Sequence, residues 1–330
     1  MKKRITIQNK KKRMKILKEI KDISNCKIII ISIIFSLYFF IYCKIYVLEI
    51  KGIIGESSDD GFSNLEKYDS NILLPIQPNI EKYIEITIDE QKFLNGIIRK
   101  TKPKKIVEIG VSYGGTSVLI LNAIKDIHGA KLYSIDLNKL CYRNRSVETG
   151  YIVKEFFNYL TNKWELFTGG LTSEFIEKIG NNIDFVYIDT VHFTPGEMLN
   201  WLEILPFLKE GAIVVLHDTF MMYIYDRIIK NIRNYSNNQI LCYIRGELIL
   251  PSFNNNTFAR NIGAIKLFKN QKRYYLNYFL ALGTQWEYMP SIRELDILNK
   301  FFMKYYGKRF AKIYNDAVEK NSLRFKKLIR

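Results

Sequence analysis

Cysteine is scarce in this chain and poorly spaced for cross-linking. Cys26, Cys43, Cys141 and Cys242 are the only four in 330 residues, and no two lie close together. That spacing excludes a disulfide framework or a zinc site, and it makes a reducing compartment the default. Histidine is scarcer still, with three in the whole chain. Internal repeats are absent, which excludes a repeat architecture. No basic stripe interleaved with aromatic residues crosses the middle of the chain, despite a net charge of +17.

The charge sits at the two ends. Residues 1–27 hold 11 Lys/Arg against 2 acids and residues 301–330 hold 9 against 2, which leaves +1 for everything between them. Basic ends on a nearly neutral body suit an anionic membrane surface or nonspecific phosphate contact better than a groove-reading domain, so no specific nucleic-acid partner is expected. Residues 28–43 carry no charge, and the apolar run resumes at 45–48 after Lys44. Sixteen residues fall short of the roughly 20 that span a bilayer, so 28–50 is a hydrophobic helix and a candidate membrane segment. The basic arm before it would stay in the cytoplasm. No small-residue cleavage site follows. The expectation is a cytoplasmic domain attached to the inner membrane by residues 28–50.

Residues 51–85 mix Gly, Ser, Asp, Asn and Pro and read as a linker. Thr87 and Glu90 form a capping-box signature that opens a helix through Phe93, Leu94, Ile97 and Ile98. Strands and helices then alternate: strand 105–109, helix 115–126, strand 131–136, helix 151–162, strand 164–168, helix 172–179, strand 184–189, helix 196–208, strand 212–217. Such alternation predicts an α/β fold, a doubly wound and mostly parallel sheet with ligands at the carboxyl ends of its strands. Three apolar runs, 240–244, 247–250 and 262–267, are candidates for the last strands. Residues 269–330 read as a helical C-terminal extension, a cap or a homo-oligomer contact.

The densest signal lies at the end of the first strand of this alternation. Glu108, Gly110, Ser112, Gly114 and Gly115 fall between an apolar strand and an apolar helix, where the backbone must turn tightly and a small polar ligand can approach free N–H groups. A dinucleotide fingerprint would need glycine where Ser112 stands. The next strand ends in Asp136, 26 residues after Gly110 and placed to accept hydrogen bonds from a ribose diol. Further on, Asp189 ends one strand with His192 in the loop after it, and His217 and Asp218 end the next. Two of the three histidines therefore fall beside strand-end acids.

The string E-x-G-x-S-x-G-G over 108–115 resembles motif I of class I S-adenosylmethionine-dependent methyltransferases. The pattern I-D-x-x-H, followed by H-D-T, resembles the subfamily of catechol O-methyltransferase-like and cephalosporin hydroxylase-like proteins, over about residues 86–268. The resemblance implies a Rossmann-like seven-stranded fold with an antiparallel final pair. It implies S-adenosylmethionine as cofactor, bound through Glu108, Gly110, Ser112, Gly114, Gly115, Asp136 and Leu137, with Leu137 against the adenine. It places Asp189 and Asp218 where metal ligands sit, with Mg²⁺ the expected ion, although Thr219 stands where catechol-type enzymes carry an Asn. His192, Asp189 and His217 are the candidate catalytic groups, a histidine near its ordinary pKa being able to take the acceptor's proton. The expected reaction is O-methylation of a hydroxyl on a sugar, glycolipid or small metabolite. The alternatives are a hydroxylase-like enzyme on the same fold and a non-catalytic membrane-associated binding module.

Overall fold

The computed structural model describes residues 62, 64–218, 244–251 and 261–328. The basic arm, the hydrophobic run 28–50, Thr219 and most of the apolar run 240–244 lie outside the described residues. Among those described, no helix is long and apolar enough to cross a membrane. The described residues all fall within one compact unit.

Seven strands make one sheet: β1 (Lys105–Ile109), β2 (Lys131–Asp136), β3 (Trp164–Thr168), β4 (Ile183–Ile188), β5 (Leu208–His217), β6 (Gly246–Ile249) and β7 (Ile262–Leu267). Their order is β3-β2-β1-β4-β5-β7-β6. The first five run parallel, and β7 lies antiparallel to both β5 and β6. The chain reverses direction beside β1, since β2 and β3 lie on one side and β4 and β5 on the other. A crevice opens at such a switch point.

Side chains alternate across the strands and bury both faces of the sheet, as a parallel sheet requires. Val107, Ile109, Val186, Ile188, Val214 and Leu216 face one core. Ile106, Leu132, Phe185, Tyr187, Ile213 and Val215 face the other. Helices α1 (Ile88–Thr101), α2 (Gly115–Ile124) and α3 (Tyr151–Phe156) cover the second face, and α4 (Thr172–Ile179) and α5 (Gly196–Ile204) cover the first. The capping box at α1 is formed, with the Thr87 hydroxyl accepting from Glu90 N–H and the Glu90 carboxylate accepting from Thr87 N–H.

Several sequence boundaries shift. The helix expected over 151–162 ends at Phe156 and gives way to a 3₁₀ segment, Asn158–Lys163. The helix expected over 196–208 ends at Ile204, and β5 starts at Leu208, four residues before its expected beginning. The final pair, β6 and β7, is antiparallel as expected, with β7 the strand that runs against its two neighbours. The described part of the segment read as a linker is structural: its short helical turns bury Leu65, Leu73, Ile76 and Ile80 against α1 and α2. Short turns carry no long periodicity, so they escape pattern reading.

The C-terminal extension belongs to the same body. Helices α6 (Tyr275–Ala281), α7 (Ile292–Tyr306) and α8 (Lys308–Leu328) place Phe279, Phe302, Tyr306 and Tyr314 in the core that holds Val186 and Trp201. Tyr306 donates a hydrogen bond to the backbone oxygen of Leu202 at 2.6 Å, which ties α7 to α5. Burying an aromatic side chain contributes on the order of 2–3 kcal/mol, so removing several leaves a sheet face that water must solvate. A protein ending at residue 268 is therefore expected to lose cooperative thermal unfolding. A truncated protein that melts in one sharp transition near the full-length temperature would contradict this packing.

Candidate functional site

The loop after β1 is shaped by backbone contacts. Gly110 sits at φ +93°, and a Cβ there would lie 1.7 Å from the backbone oxygen of Asp189. The glycine thus lets β1 and β4 approach at their carboxyl ends. Its requirement is structural, so a larger residue at 110 would disturb the fold as well as the ligand side of the loop. A Cβ on Gly115 would likewise meet the backbone oxygen of Tyr83, at 2.6 Å. Ser112 adopts φ +55° although it is not glycine. The carboxylate of Asp136 supports that conformation, its Oδ2 accepting from Val111 N–H at 2.9 Å and Ser112 N–H at 3.2 Å.

Asp136 also takes Asn138 N–H on Oδ1, at 2.8 Å. A carboxylate offers roughly four acceptor positions, and the Asn138 amide, 3.4 Å from Oδ1, draws on them beside the three backbone donors, so a ligand hydroxyl would share or displace one of these contacts. Leu137, half exposed, follows it on the wall of the cavity.

Glu108 lies elsewhere. It is fully buried, and its Oε2 accepts from the hydroxyls of Ser117 at 2.6 Å and Ser134 at 2.5 Å. Trp164 Nε1 donates to Ser134 Oγ in turn, at 2.8 Å. Strand alternation turns residue 108 away from the cavity and onto the α2 face, so this acid ties β1, β2 and α2 together beneath the loop. Gly114 also stays off the cavity wall, whereas Gly110, Ser112 and Gly115 lie on it.

The cavity encloses about 540 Å³ and opens over the carboxyl ends of β1, β2 and β4. Asp189 and His192 line it on the β4 side. Register pairing of Ile188 with Leu216 sets Asp189 beside His217. The two histidines stand among acids. His192 Nε2 is 2.7 Å from Asp218 Oδ2 and 3.6 Å from Asp189 Oδ1. Its Nδ1 is 2.9 Å from Oε1 of Glu197, a buried residue in the first turn of α5. His217 Nδ1 is 3.4 Å from Asp189 Oδ1 and 3.5 Å from Asp218 Oδ2, while its Nε2 faces Glu90 Oε1 at 3.8 Å.

These contacts decide protonation. Burial disfavours the charge on both imidazoles, but Asp218 and Glu197 outweigh it at His192, and Asp189 and Asp218 outweigh it at His217, so both pKa values rise well above the ordinary range. Burial likewise opposes ionisation of Asp218, and the two imidazoles reverse that, holding its carboxyl well below the usual carboxylate range. With no cation bound, these contacts favour the imidazolium form of both histidines. The expectation of a histidine near its ordinary pKa does not hold, and a protonated imidazole accepts no proton. His217 is 4% exposed and off the cavity wall, so it acts on Asp189 rather than on a ligand.

Asp189, His192 and Asp218 each offer a ligand atom, all within 4.8 Å of one another, so the donor set fits a divalent cation, which would take the place of the proton on His192 Nε2. Asp218 also accepts from Asn261 Nδ2 at 2.5 Å, from the residue just before β7. An imidazole in the set suits Mn²⁺ or a later transition ion better than Mg²⁺, which prefers oxygen alone.

Sequence reading missed Glu197, Glu203, Asn261 and Glu287. The first two lie with Asn200 at i, i+3 and i+6 on α5, polar positions in an otherwise apolar buried helix, and that pattern was visible. Glu287 was not foreseeable. It accepts from Thr194 N–H at 2.8 Å and returns its own N–H to Thr194 O at 2.8 Å, so the C-terminal extension pins the loop that carries His192.

The buried acid under the loop generates a pH test. Burial pushes the Glu108 carboxyl up to about 8. A carboxyl raised above its unfolded value of about 4.3 binds more protons when folded, so its contribution to stability is complete below that value and is lost as pH rises through about 8. The stability of Glu108→Gln relative to wild type should therefore climb between about pH 5 and 8, by on the order of 1 kcal/mol per unit. Parallel pH profiles of denaturant unfolding for the two proteins would refute it.

Comparison with known proteins supplies the remaining finding. Residues 107–219 match the family model described as "Methyltransferase domain". No curated protein matches the sequence significantly. Among solved structures, the chain is similar to S-adenosylhomocysteine-bound methyltransferase PaMTH1 of Podospora anserina, with 14% identity, TM-score 0.42, and 61% of this chain and 88% of that one covered. It is also similar to the O-methyltransferase TomG of Streptomyces achromogenes in complex with S-adenosylmethionine, with 14% identity, TM-score 0.41, and coverage of 67% and 95%. The O-methyltransferase of Bacillus cereus bound to S-adenosylhomocysteine gives 12% identity, TM-score 0.41, and coverage of 66% and 97%. The matched segment starts within β1, takes in the glycine loop and Asp136, and ends just past Asp218, so the likeness to a methyltransferase domain falls on the strands whose ends wall the cavity.

Proposed function

We propose that this protein binds S-adenosylmethionine along the β1 loop and methylates a hydroxyl group of a sugar, glycolipid or small metabolite. The observation that carries the reading is a single cavity walled by the glycine loop and Asp136 on one side and by Asp189 and His192 on the other. A volume of about 540 Å³ suits a cofactor of this size. Gly110, Ser112, Gly115, Asp136 and Leu137 are the cofactor-facing residues, and Glu108 supports them from below.

The sulfonium brings its own activation, so the protein's work is to hold the acceptor oxygen in line with the methyl group and to manage its proton. Asp189 faces the cavity, with Tyr187 donating to its Oδ2 at 3.0 Å and His217 beside its Oδ1. That leaves a fixed, charge-balanced carboxylate for a hydroxyl donor. Half-exposed Phe193 and Tyr142 also line the cavity and supply apolar faces for the C–H side of a sugar ring. A divalent cation held by Asp189, His192 and Asp218 would acidify the acceptor hydroxyl. Glu197 fixes the imidazole of His192 so that Nε2 points at the two aspartates.

Calorimetric titration with S-adenosylhomocysteine should give one site, and Asp136→Ala should weaken it by about 1–3 kcal/mol, the scale of a charge-assisted hydrogen bond and the loop order it maintains. An unchanged dissociation constant in a folded variant would move the cofactor elsewhere. For the cation, Mn²⁺ titrated into the wild-type protein and followed by electron paramagnetic resonance should show one bound ion. Asp189→Asn and His192→Ala should each release it. Identical free-Mn²⁺ signals with and without protein would exclude the site.

A further inference from the structure

The apolar surface at the mouth of the cavity continues past the cavity itself. Leu137, Tyr142, Val191 and Phe193 line the cavity, yet each is exposed, from 40% at Val191 to 54% at Tyr142. Leu140, two residues before Tyr142, is exposed and off the cavity wall. On the other side, Tyr142 donates to Glu85 Oε1 at 2.7 Å, which joins the segment 137–150 between β2 and α3 to the one that carries Tyr83. Tyr83 lines the cavity and stacks on Phe156 with ring centroids 6.2 Å apart, and Phe156 is exposed and again off the wall. An acceptor lodged in the cavity covers the first four side chains at most. Leu140 and Phe156 stay in water, and a run of exposed apolar side chains that outreaches its own pocket marks a surface that meets something larger.

The charge around this surface decides what that is. Segment 137–150 carries Lys139, Arg143 and Arg145 against one acid, Glu148. Lys154 matches Glu148 at 2.7 Å, and Glu85 matches Arg143 at 3.0 Å. Lys139 and Arg145 are exposed, and among the described residues neither belongs to a salt bridge. Residues 190–195, which carry Val191 and Phe193, hold no acid. An isologous contact with a second copy would set these unmatched cations near their own counterparts. Apolar and aromatic side chains flanked by unmatched Lys and Arg instead fit the head-group layer of an anionic bilayer. Upstream of Tyr83, the basic residues 1–27 and the uncharged run 28–43 suit the same surface.

We infer that the mouth of the cavity docks on an anionic lipid bilayer, with Leu140, Tyr142, Phe156 and Phe193 in the head-group layer and Lys139 and Arg145 against lipid phosphates. Docked this way, the cavity opens onto the head groups, which makes a lipid-borne hydroxyl the acceptor it meets first. That consequence for the acceptor rests on the methyltransferase reading above, whereas the docking itself rests on the rim alone.

The test places a tryptophan on the rim of the full-length protein, as Leu140→Trp or as Phe193→Trp, and mixes each variant with vesicles of phosphatidylglycerol and chain-brominated phosphatidylcholine in equal parts. Emission is read on the protein that sediments with the vesicles, so attachment through another part of the chain does not count. Wild-type protein, whose Trp201 and Trp286 are buried, supplies the background. The added tryptophan should lose about half of its emission or more to the brominated chains, as a side chain at the acyl boundary does. Lys139→Glu with Arg145→Glu in the Leu140→Trp protein should cut that quenching by about twofold or more. Thermal melts show which variants are folded. Folded, vesicle-bound variants quenched no more than wild type overturn the inference, and so does a protein that stays in the supernatant. Equal quenching in vesicles of phosphatidylcholine alone overturns it too, as does rim emission that shifts with protein concentration rather than lipid, the mark of a second copy on this face. Calorimetric titration of the same proteins with S-adenosylhomocysteine keeps the two readings apart: no binding overturns the methyltransferase reading and leaves the docking standing.

Discussion

The structure around the site depends on how charge is balanced where β4 and β5 end. Parallel neighbours bring their carboxyl ends side by side, so Asp189 and Asp218 meet whatever else the sequence does, and like charges that close repel. Two imidazoles between them settle the matter. His192 and His217 share the aspartates, and two further buried acids, Glu197 and Glu90, hold the outer sides of the rings. Burial pushes the Glu197 carboxyl up to about 7, so it is only partly ionised, and the acids around the two imidazoles leave a modest excess of negative charge beside the cavity. Such a place favours a cation, whether a divalent ion or the sulfonium of a methyl donor.

The same logic governs the β1 loop on the other side of the cavity. Asp136 gathers backbone N–H groups and thereby fixes Ser112 in a left-handed conformation that the loop needs. Gly110 lets the loop sit against β4. The two sides of the cavity are therefore coupled through backbone: residue 110 packs directly against the backbone of Asp189. The C-terminal extension adds a third support, since Glu287 pins Thr194 two residues beyond His192. A segment that reads in sequence as an appendage closes the core and steadies the site.

Much of this was legible in the residues. Strands alternating with helices fix a parallel sheet, and a parallel sheet fixes where Asp136, Asp189, His192 and Asp218 gather, because strand ends are all that topology requires. What was not legible depends on side-chain direction and on long-range pairing. Glu108 belongs to a motif, but alternation along β1 turns it into the α2 face, and only the positions of Ser117 and Ser134 show why. The raised pKa values come first from Asp218 at His192 and from Asp189 at His217, while Glu197, five residues after His192, adds to the former and distant Glu90 adds least to the latter. Leu65 and Leu73 hide in turns without periodicity. The helical character of 269–330 was visible in sequence, but whether it caps this core or meets another copy was not.

The central claim is that one cavity holds the methyl donor between the β1 loop and the β4–β5 strand ends. A crystal structure of the protein grown with saturating S-adenosylhomocysteine tests it most directly. The account expects the ribose on Asp136, the sulfur between Gly110 and Asp189, and the base beyond Leu137. Ligand density anywhere else on the chain, or an empty cavity at saturating concentration, would contradict it.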